Sequence, residues 1–433
     1  MVRHTRQQIT VPRCRAGRSW AVVGAAVLGV GLATGLASCV TPRAEIKRAD
    51  TTSPSAFEAK GDKLDALLAA AWTQAGVTPA DLASDAEFAR RLYLDLLGRV
   101  PTAGEARTFL QASGEGKRAD LVTTLLEDPG FAEHWADVYA DLLIGLEPGG
   151  QGRKLHSTFQ AWWAEGMSEQ RPYDDMVYDI LTASGEQPLE EAGPAAFLFR
   201  HGRKNRIEAI TTEVSRVFLG VQLGCAQCHD HPYDDRYKQE DFYGMAAYFA
   251  QSRVRQAKTD NGRVLRILER PRGEARVPKS NGTPGKVVAP RFLGQPAQAS
   301  EQTRREQLAT SVLSSEMLAK TVVNRTWSQL FGSGLVEPWD DLGGPGDASH
   351  PPALNLLAAE FQQHGYSFPW LIRKIVLSSA YQRSSAGPGD PAKAQRVFAR
   401  AAVRPLSPRQ LFRSLVVATG LEGSSRKDIR RLV

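Results

Sequence analysis

Apolar side chains recur at the spacing of an α-helix through most of this 433-residue chain. Leu64, Leu68 and Trp72 begin the first such series, and similar series follow it along the chain. An apolar residue at every third or fourth position places one stripe of a helix on a core. The pattern is lost after Ser252 and resumes at Arg304. The sequence therefore predicts a mainly α fold with two helical domains.

The stretch between the two helical domains has a different composition. Residues 252–303 are rich in Pro, Gly, Lys and Asn, and they contain short runs of β-type residues at 263–268 and 287–288. Such runs, bounded by turn-forming residues, indicate strands. We therefore predict a small irregular or β-hairpin insertion here, between a first helical domain over 57–251 and a second over 304–433.

A Cys-x-x-Cys-His sequence lies at residues 225–229. Cys225 and Cys228 are spaced to reach the two vinyl groups of one haem, and His229 would ligate the iron from the proximal side. The chain has only four cysteines, so a disulfide framework is excluded. The motif is the main indication of function, and it predicts one covalently bound haem c.

The N-terminus predicts export and a lipid anchor. Five arginines precede an uncharged apolar run from Trp20 to Leu36, which is the pattern of a secretory signal. The residues that end at Cys39 resemble the lipobox of bacterial lipoproteins, in which the signal is cleaved before an acylated cysteine. We expect a signal peptide over 1–38, lipidation at Cys39 and a polar tether over 39–56. An uncleaved membrane anchor is the alternative.

Position 40 and the charge balance refine the predicted location and partners. Val40 is not the aspartate that retains this class of lipoprotein at the inner membrane, so we expect the protein at the outer membrane, facing the periplasm.

The chain has a formal charge of +7, but removal of the signal arginines leaves nearly equal numbers of acidic and basic residues. Nucleic acid is therefore not expected as a partner. The membrane and a periplasmic redox protein are the expected partners.

Several residues compete for the second coordination position on the iron. Met245 lies in an apolar helical stripe downstream of the motif. We expect the helix that leads into the motif to be stopped by Pro232. His231 could reach the same iron only if this proline has already broken the helix, and His156 and His201 are further candidates. Ligation by methionine or histidine would favour periplasmic electron transfer, whereas an open iron face would allow a haem-dependent oxidoreductase or peroxidase.

Two alternatives need no haem. Cys225, Cys228, His229 and His231 would suit a compact structural metal site for zinc, although no second pair of spaced ligands accompanies them. The two thiols could instead form a redox dithiol. The protein would then be a metal-binding, surface-assembly or binding module rather than a cytochrome.

Longer stretches of the chain resemble one family and its usual companion. The first region is similar to the planctomycete cytochrome C-like family DUF1549 at 93–102, at 214–224, in the CAQCHDHPYD sequence that follows, and at 241–249. The second region resembles DUF1553 at 323–327, 331–336 and 371–378. The resemblance covers nearly all of 57–420.

The resemblance implies thioether attachment at Cys225 and Cys228 and proximal ligation by His229. It does not by itself establish an activity. The chain stops soon after Arg409, so we expect a shortened second domain. No nucleophile with a positioned base appears in that domain, so we expect structural roles for its polar motif residues. These residues are Asn324, Arg325, Asp340, Asp341 and His350.

Overall fold

The computed structural model describes residues 62–421, apart from 146–149, 203–205, 233, 261, 280–282, 345–346 and the side chains of 347–348. These residues belong to one compact unit. The predicted signal peptide, the lipidation site Cys39 and the tether lie outside the described residues, so they stay predictions. Within the described part, no helix has both the length and the apolar character that crossing a membrane requires.

Sixteen α-helices and nine short β-strands make up the described part of the chain, which confirms the mainly α prediction. The first ten helices are α1 (Lys63–Ala75), α2 (Asp85–Leu96), α3 (Ala103–Gln111), α4 (Lys117–Glu127), α5 (Pro129–Leu143), α6 (Gly150–Ser168), α7 (Tyr173–Thr182), α8 (Gly193–Gly202), α9 (Ile207–Leu219) and α10 (Gln239–Ala246). The remaining helices are α11 (Arg304–Ser314), α12 (Glu316–Phe331), α13 (Pro351–Gln363), α14 (Phe368–Val376), α15 (Pro391–Arg396) and α16 (Pro408–Ala418).

The strands form four small antiparallel sheets. They are β1 (Gly185–Pro188), β2 (Ser252–Thr259), β3 (Gly262–Glu269), β4 (Ala275–Pro278), β5 (Pro284–Val288), β6 (Arg291–Phe292), β7 (Gln295–Pro296), β8 (Val336–Glu337) and β9 (Asp347–Ala348). Six of them, β2 to β7, lie in the predicted insertion between the helical regions.

Local sequence signals determine where several helices begin. Thr102 Oγ1 accepts a hydrogen bond from the Glu105 N–H, and the Glu105 carboxylate accepts one from the Thr102 N–H. This reciprocal pair is a capping box at the start of α3. At the start of α5, Asp128 accepts from the Gly130 N–H and Pro129 occupies the first turn, where no N–H is needed. Each cap satisfies backbone groups that a helix end leaves without a partner.

The β2–β3 hairpin confirms the predicted strands. Ser252 pairs with Glu269 at its open end, the predicted run 263–268 lies in β3, and the run 287–288 lies in β5. The same sheet has a third strand, β1, which pairs with β3. Sequence reasoning missed β1 because Gly185–Pro188 contains no β-branched or aromatic residue.

Helices from both sides of the sheets share one hydrophobic core. Polar contacts also join them: the Tyr381 hydroxyl donates to Asp95 Oδ2 at 2.8 Å, and Arg404 pairs with Asp95 at 2.6 Å. Trp72 Nε1 donates to the Val397 carbonyl at 2.8 Å. The second helical region therefore contacts the first directly, and the first contains the cysteine motif.

Two buried histidines make the stability of this core dependent on pH. Burial, together with the charges of Arg413 and Arg409, lowers the pKa of His134 to about 3, and burial lowers the pKa of His350 to about 4. Their usual value is 6.5. Below pH 6.5 the unfolded chain therefore binds protons that the folded protein does not bind, so stability falls as the pH decreases.

We expect the free energy of unfolding to drop by about 2 kcal/mol per histidine between pH 6.5 and pH 5. Urea unfolding at pH 7 and pH 5 measures the loss. His134→Gln removes one of the two groups, so the loss in this variant should be smaller by about 2 kcal/mol. An identical pH dependence in the wild type and the variant would contradict this assignment.

Candidate functional site

The Cys-x-x-Cys-His motif follows α9 but is not part of it. The helix ends at Gly220, which has a φ of 58° and donates its N–H to the Ser215 carbonyl. A 3₁₀ helix, Leu223–Gln227, then carries the first cysteine, and Cys228 caps it. The prediction that Pro232 ends the helix is wrong, because the left-handed Gly220 ends it before the motif.

The 3₁₀ helix places the two thiols on one side of the segment. Side chains three positions apart are nearly eclipsed in this type of helix, so Cys225 and Cys228 project in similar directions. Both cysteines are exposed and form no disulfide. Two accessible thiols on one face can form thioether bonds to one haem or a disulfide with each other.

His229 is exposed, and its ring is oriented by the neighbouring backbone. The Nδ1 atom lies 2.6 Å from the Asp230 carbonyl oxygen. A carbonyl only accepts hydrogen bonds, so Nδ1 carries the proton and Nε2 of the neutral ring keeps its lone pair. A metal-ligating histidine usually shows this arrangement, with one nitrogen donating to a carbonyl and the other free to bind the metal.

Hydrogen bonds to the start of α10 hold the motif in place. The Asp230 carboxylate accepts from the Gln239 N–H at 3.0 Å, and Gln239 Nε2 donates to the Gln227 carbonyl at 3.0 Å. The pKa of Tyr243, also on α10, is raised by burial and further by Glu208 and Cys228. These α10 residues, which sequence reasoning did not identify, form one side of the site.

A segment of the second helical region, residues 336–344, packs against the residues just before the motif. The Leu342 N–H donates to the Gly220 carbonyl at 2.8 Å. A Cβ at Gly220 would lie 2.8 Å from the Leu342 side chain. Arg236, just after the motif, donates to the Gly343 carbonyl at 2.8 Å. The segment thus contacts the chain on both sides of the cysteines.

Asn324 holds the beginning of this segment. Its side-chain oxygen accepts from the Val336 N–H at 3.0 Å, and its Nδ2 donates to the Val336 and Trp339 carbonyls at 2.9 and 3.2 Å. Arg325 donates to the Val217 carbonyl of α9. Both side chains therefore bind backbone carbonyls, and the structural roles expected from the sequence stay predictions. His350 is also buried, in contact with the Phe398 ring.

Two aspartates of the segment face charged groups of the first region. Asp340 pairs with Arg216 of α9 at 3.3 Å. Burial raises the pKa of Asp341. The nearby His231 and a hydrogen bond from the Gln222 N–H act in the opposite direction and limit this rise. His231 therefore lies close enough to Asp341 for their charges to interact.

Four residues were candidates for the second ligand of the haem iron. The structure buries two of them in the core and places the ring nitrogens of the other two in hydrogen bonds with other residues. Met245 is wholly buried, and it lies two positions after Tyr243, so it projects from the opposite side of α10. His231 is buried beside the Tyr237 ring. His156 Nε2 lies 2.7 Å from Asp141, and His201 Nε2 lies 2.7 Å from the Leu143 carbonyl.

The alternative zinc set is not assembled. Among the described residues, no three His, Cys, Asp or Glu side chains lie close enough together to hold a metal ion. Cys225 and Cys228 are exposed, whereas His231 is buried. The acidic residues near the motif have other roles: Asp234 pairs with Arg236 at 2.6 Å, and Asp241 accepts from the Lys238 N–H at 2.9 Å.

The arrangement fits covalent haem attachment through its donor set: two accessible thiols on one face and an imidazole whose Nε2 is available. A helical scaffold with this motif defines a cytochrome-like class of protein. The chain contains a DUF1549 region followed by a DUF1553 region, as the sequence resemblance indicated. Residues 63–254 match PSCyt2, described as a protein of unknown function (DUF1549), and residues 304–429 match PSD1, a protein of unknown function (DUF1553). No curated protein and no solved structure matches the chain.

Proposed function

We propose that the protein binds one haem c through thioether bonds at Cys225 and Cys228, with His229 as the proximal ligand, and acts in periplasmic electron transfer. The observation that carries this proposal is the exposed pair of thiols beside a histidine whose Nδ1 is hydrogen-bonded to a backbone carbonyl. The cytochrome-like family supports it. When bound, a haem would accept and donate one electron at its iron.

The protein's own residues would hold and orient this group. Gln239 and Asp230 fix the motif against α10, so the positions of the thiols and the imidazole are set before attachment. The exposure of Cys225, Cys228 and His229 leaves the site accessible to a redox protein. Electron transfer between proteins uses small, transient interfaces, which such a surface site suits.

A second candidate function is small-ligand or peroxide chemistry. The positions of Met245, His231, His156 and His201 favour it, since each is buried in the core or bonded elsewhere. A haem held only by His229 would have an open face. A reduced spectrum that changes with carbon monoxide would support this function, and an unchanged spectrum would support a carrier with two protein ligands.

The test of the proposed function is the visible spectrum of protein exported from cells that contain a haem-maturation system. After denaturation in alkaline pyridine, the purified protein should show the absorption of haem c at about one haem per chain. Colourless protein would overturn the proposal. Zinc at one ion per chain would instead establish a structural metal site.

The proposed location is the outer membrane, with the protein facing the periplasm. Cys39→Ala should remove the protein from the outer-membrane fraction and leave its signal uncleaved at that position, because the acylated cysteine is both the anchor in that membrane and the residue before which the signal is cut. Cell fractionation and N-terminal sequencing measure both effects. Cys14→Ala is the matched control, since Cys14 lies inside the predicted signal and should leave anchoring unchanged. A Cys39→Ala protein that stays in the membrane, with normal processing, would rule out lipidation.

A further inference from the structure

A cavity of about 390 Å³ is lined by α5, α12 and α16, together with Trp339. Its apolar lining includes Trp135, Val138 and Leu142, and Arg325 of α12 also lines it. The volume lies within the range of small-molecule sites. No residue of the cysteine motif contributes to this lining.

Arg325 is an unusual residue to find in such a lining. The side chain is only 8% exposed. Its Nη2 donates to the Val217 carbonyl, whereas Nε and Nη1 have no partner in hydrogen-bonding geometry. The charge of Arg325 acts on the hydroxyl of Tyr173, but the pKa of this buried phenol is raised, so Tyr173 is neutral and supplies no negative charge. The guanidinium lies over the Trp339 ring, 5.2 Å from the ring centroid. Arg325 forms no ion pair with the carboxylates that the structure describes. A buried charge without an anionic partner is strongly unfavourable.

The other charged groups around the cavity compensate one another. Asp137 pairs with Arg409 and with Arg413, each at 2.7 Å. Asp141 pairs with Arg409 at 2.9 Å. His134 is neutral near pH 7, because its pKa is lowered to about 3 by burial and by the two arginines. Two cations therefore balance two anions in this part of the lining, whereas Arg325 has no carboxylate at ion-pair distance among the described residues.

We propose that this cavity binds a small organic monocarboxylate, with its carboxylate on the Arg325 guanidinium and its apolar body against Trp339 and Leu142. A guanidinium can donate to both oxygens of a carboxylate. One negative charge also matches the single uncompensated positive charge. The aromatic and aliphatic lining suits a ring or a short hydrocarbon chain better than a hydrated inorganic anion. This site is independent of haem attachment at the cysteine motif.

Calorimetric titration of the full chain with sodium benzoate tests the proposal. Wild-type protein should bind one benzoate per chain, whereas the uncharged benzamide should bind much more weakly. Sodium chloride at equal ionic strength controls for salt. Arg325→Gln should weaken benzoate binding by about tenfold or more. Arg118→Gln is the matched control: Arg118 also lies over an aromatic ring, but it pairs with Asp85. This control should bind benzoate like the wild type.

A second variant tests the cavity itself. Val138→Trp fills the space from α5 and leaves Arg325 unchanged, so it should abolish benzoate binding. This variant decides the question if Arg325→Gln does not fold. The proposal is overturned if wild-type protein does not bind benzoate, if benzamide binds equally well, or if folded Arg325→Gln or Val138→Trp protein binds benzoate like the wild type.

Discussion

Gly220→Ala is expected to destabilise the protein by about 2–5 kcal/mol. Gly220 ends α9 with a φ of 58°, a conformation that costs a residue with a side chain about 1 kcal/mol or more. The added Cβ would also lie 2.8 Å from Leu342 Cγ and 2.9 Å from Thr321 Oγ1. The Leu342 N–H donates to the Gly220 carbonyl, so Leu342 cannot move away without breaking this contact. Urea unfolding measures the loss.

Gly76→Ala is the matched control for this substitution. Gly76 ends α1 with a φ of 60°, and an added Cβ there meets no atom within 4 Å. Only the backbone cost should remain, about 1–2 kcal/mol. The difference between the two variants therefore measures the packing of Leu342 and Thr321 on the end of α9. Equal losses would show that this packing is not tight.

Replacing both Cys225 and Cys228 with serine is expected to remove all covalently bound haem. Serine keeps the size and exposure of each side chain but cannot form a thioether bond, so the fold should persist while attachment is lost. A single substitution leaves one possible bond and should lower the haem content of denatured protein. Haem staining after denaturing gel electrophoresis measures the retained haem. His231→Asn is the control, because His231 is buried away from the thiols and its loss should leave the stain.

The same gel separates this outcome from its competitors. If the double serine variant and the wild type stain equally, any haem present is not held by the motif. If wild-type protein does not stain but its thiols react only after reduction, the motif is a redox dithiol. Each result leads to a different function for the same segment.

Helical periodicity was sufficient to predict most of the secondary structure. Leu64, Leu68 and Trp72 mark one buried face of α1, and all three are in the core. The β3 strand was also predictable, because 263–268 is a run of β-type residues. The β1 strand was not: its four residues form a strand only because β3 offers an edge with free backbone groups.

The candidate site was predictable in its chemistry but not in its surroundings. The spacing of Cys225, Cys228 and His229 is visible in the sequence, whereas the contact of Leu342 with Gly220 joins residues more than a hundred positions apart. Local patterns carry no information on such a pair. The end of α9 was misplaced for a different reason: a proline is an obvious helix breaker, but a left-handed glycine ended the helix first.

Met245 illustrates the limit of the apolar pattern. A methionine on a helix beside the motif is consistent with a metal ligand, although in an apolar stripe it is more often a core residue. The structure places it wholly in the core, while Tyr243 of the same helix lies near Cys228. Choosing between these roles required knowing which side of α10 faces the motif, and the sequence does not contain that information.

The mass of the denatured, exported protein tests the central claim most directly. Wild-type chain produced with a haem-maturation system should carry the mass of one haem, and the added mass should locate to the peptide that contains Cys225 and Cys228. The double serine variant should lack this addition. A wild-type chain that carries no added mass on that peptide, or that has only lost two hydrogens to a disulfide, would contradict the assignment of this motif as a haem attachment site.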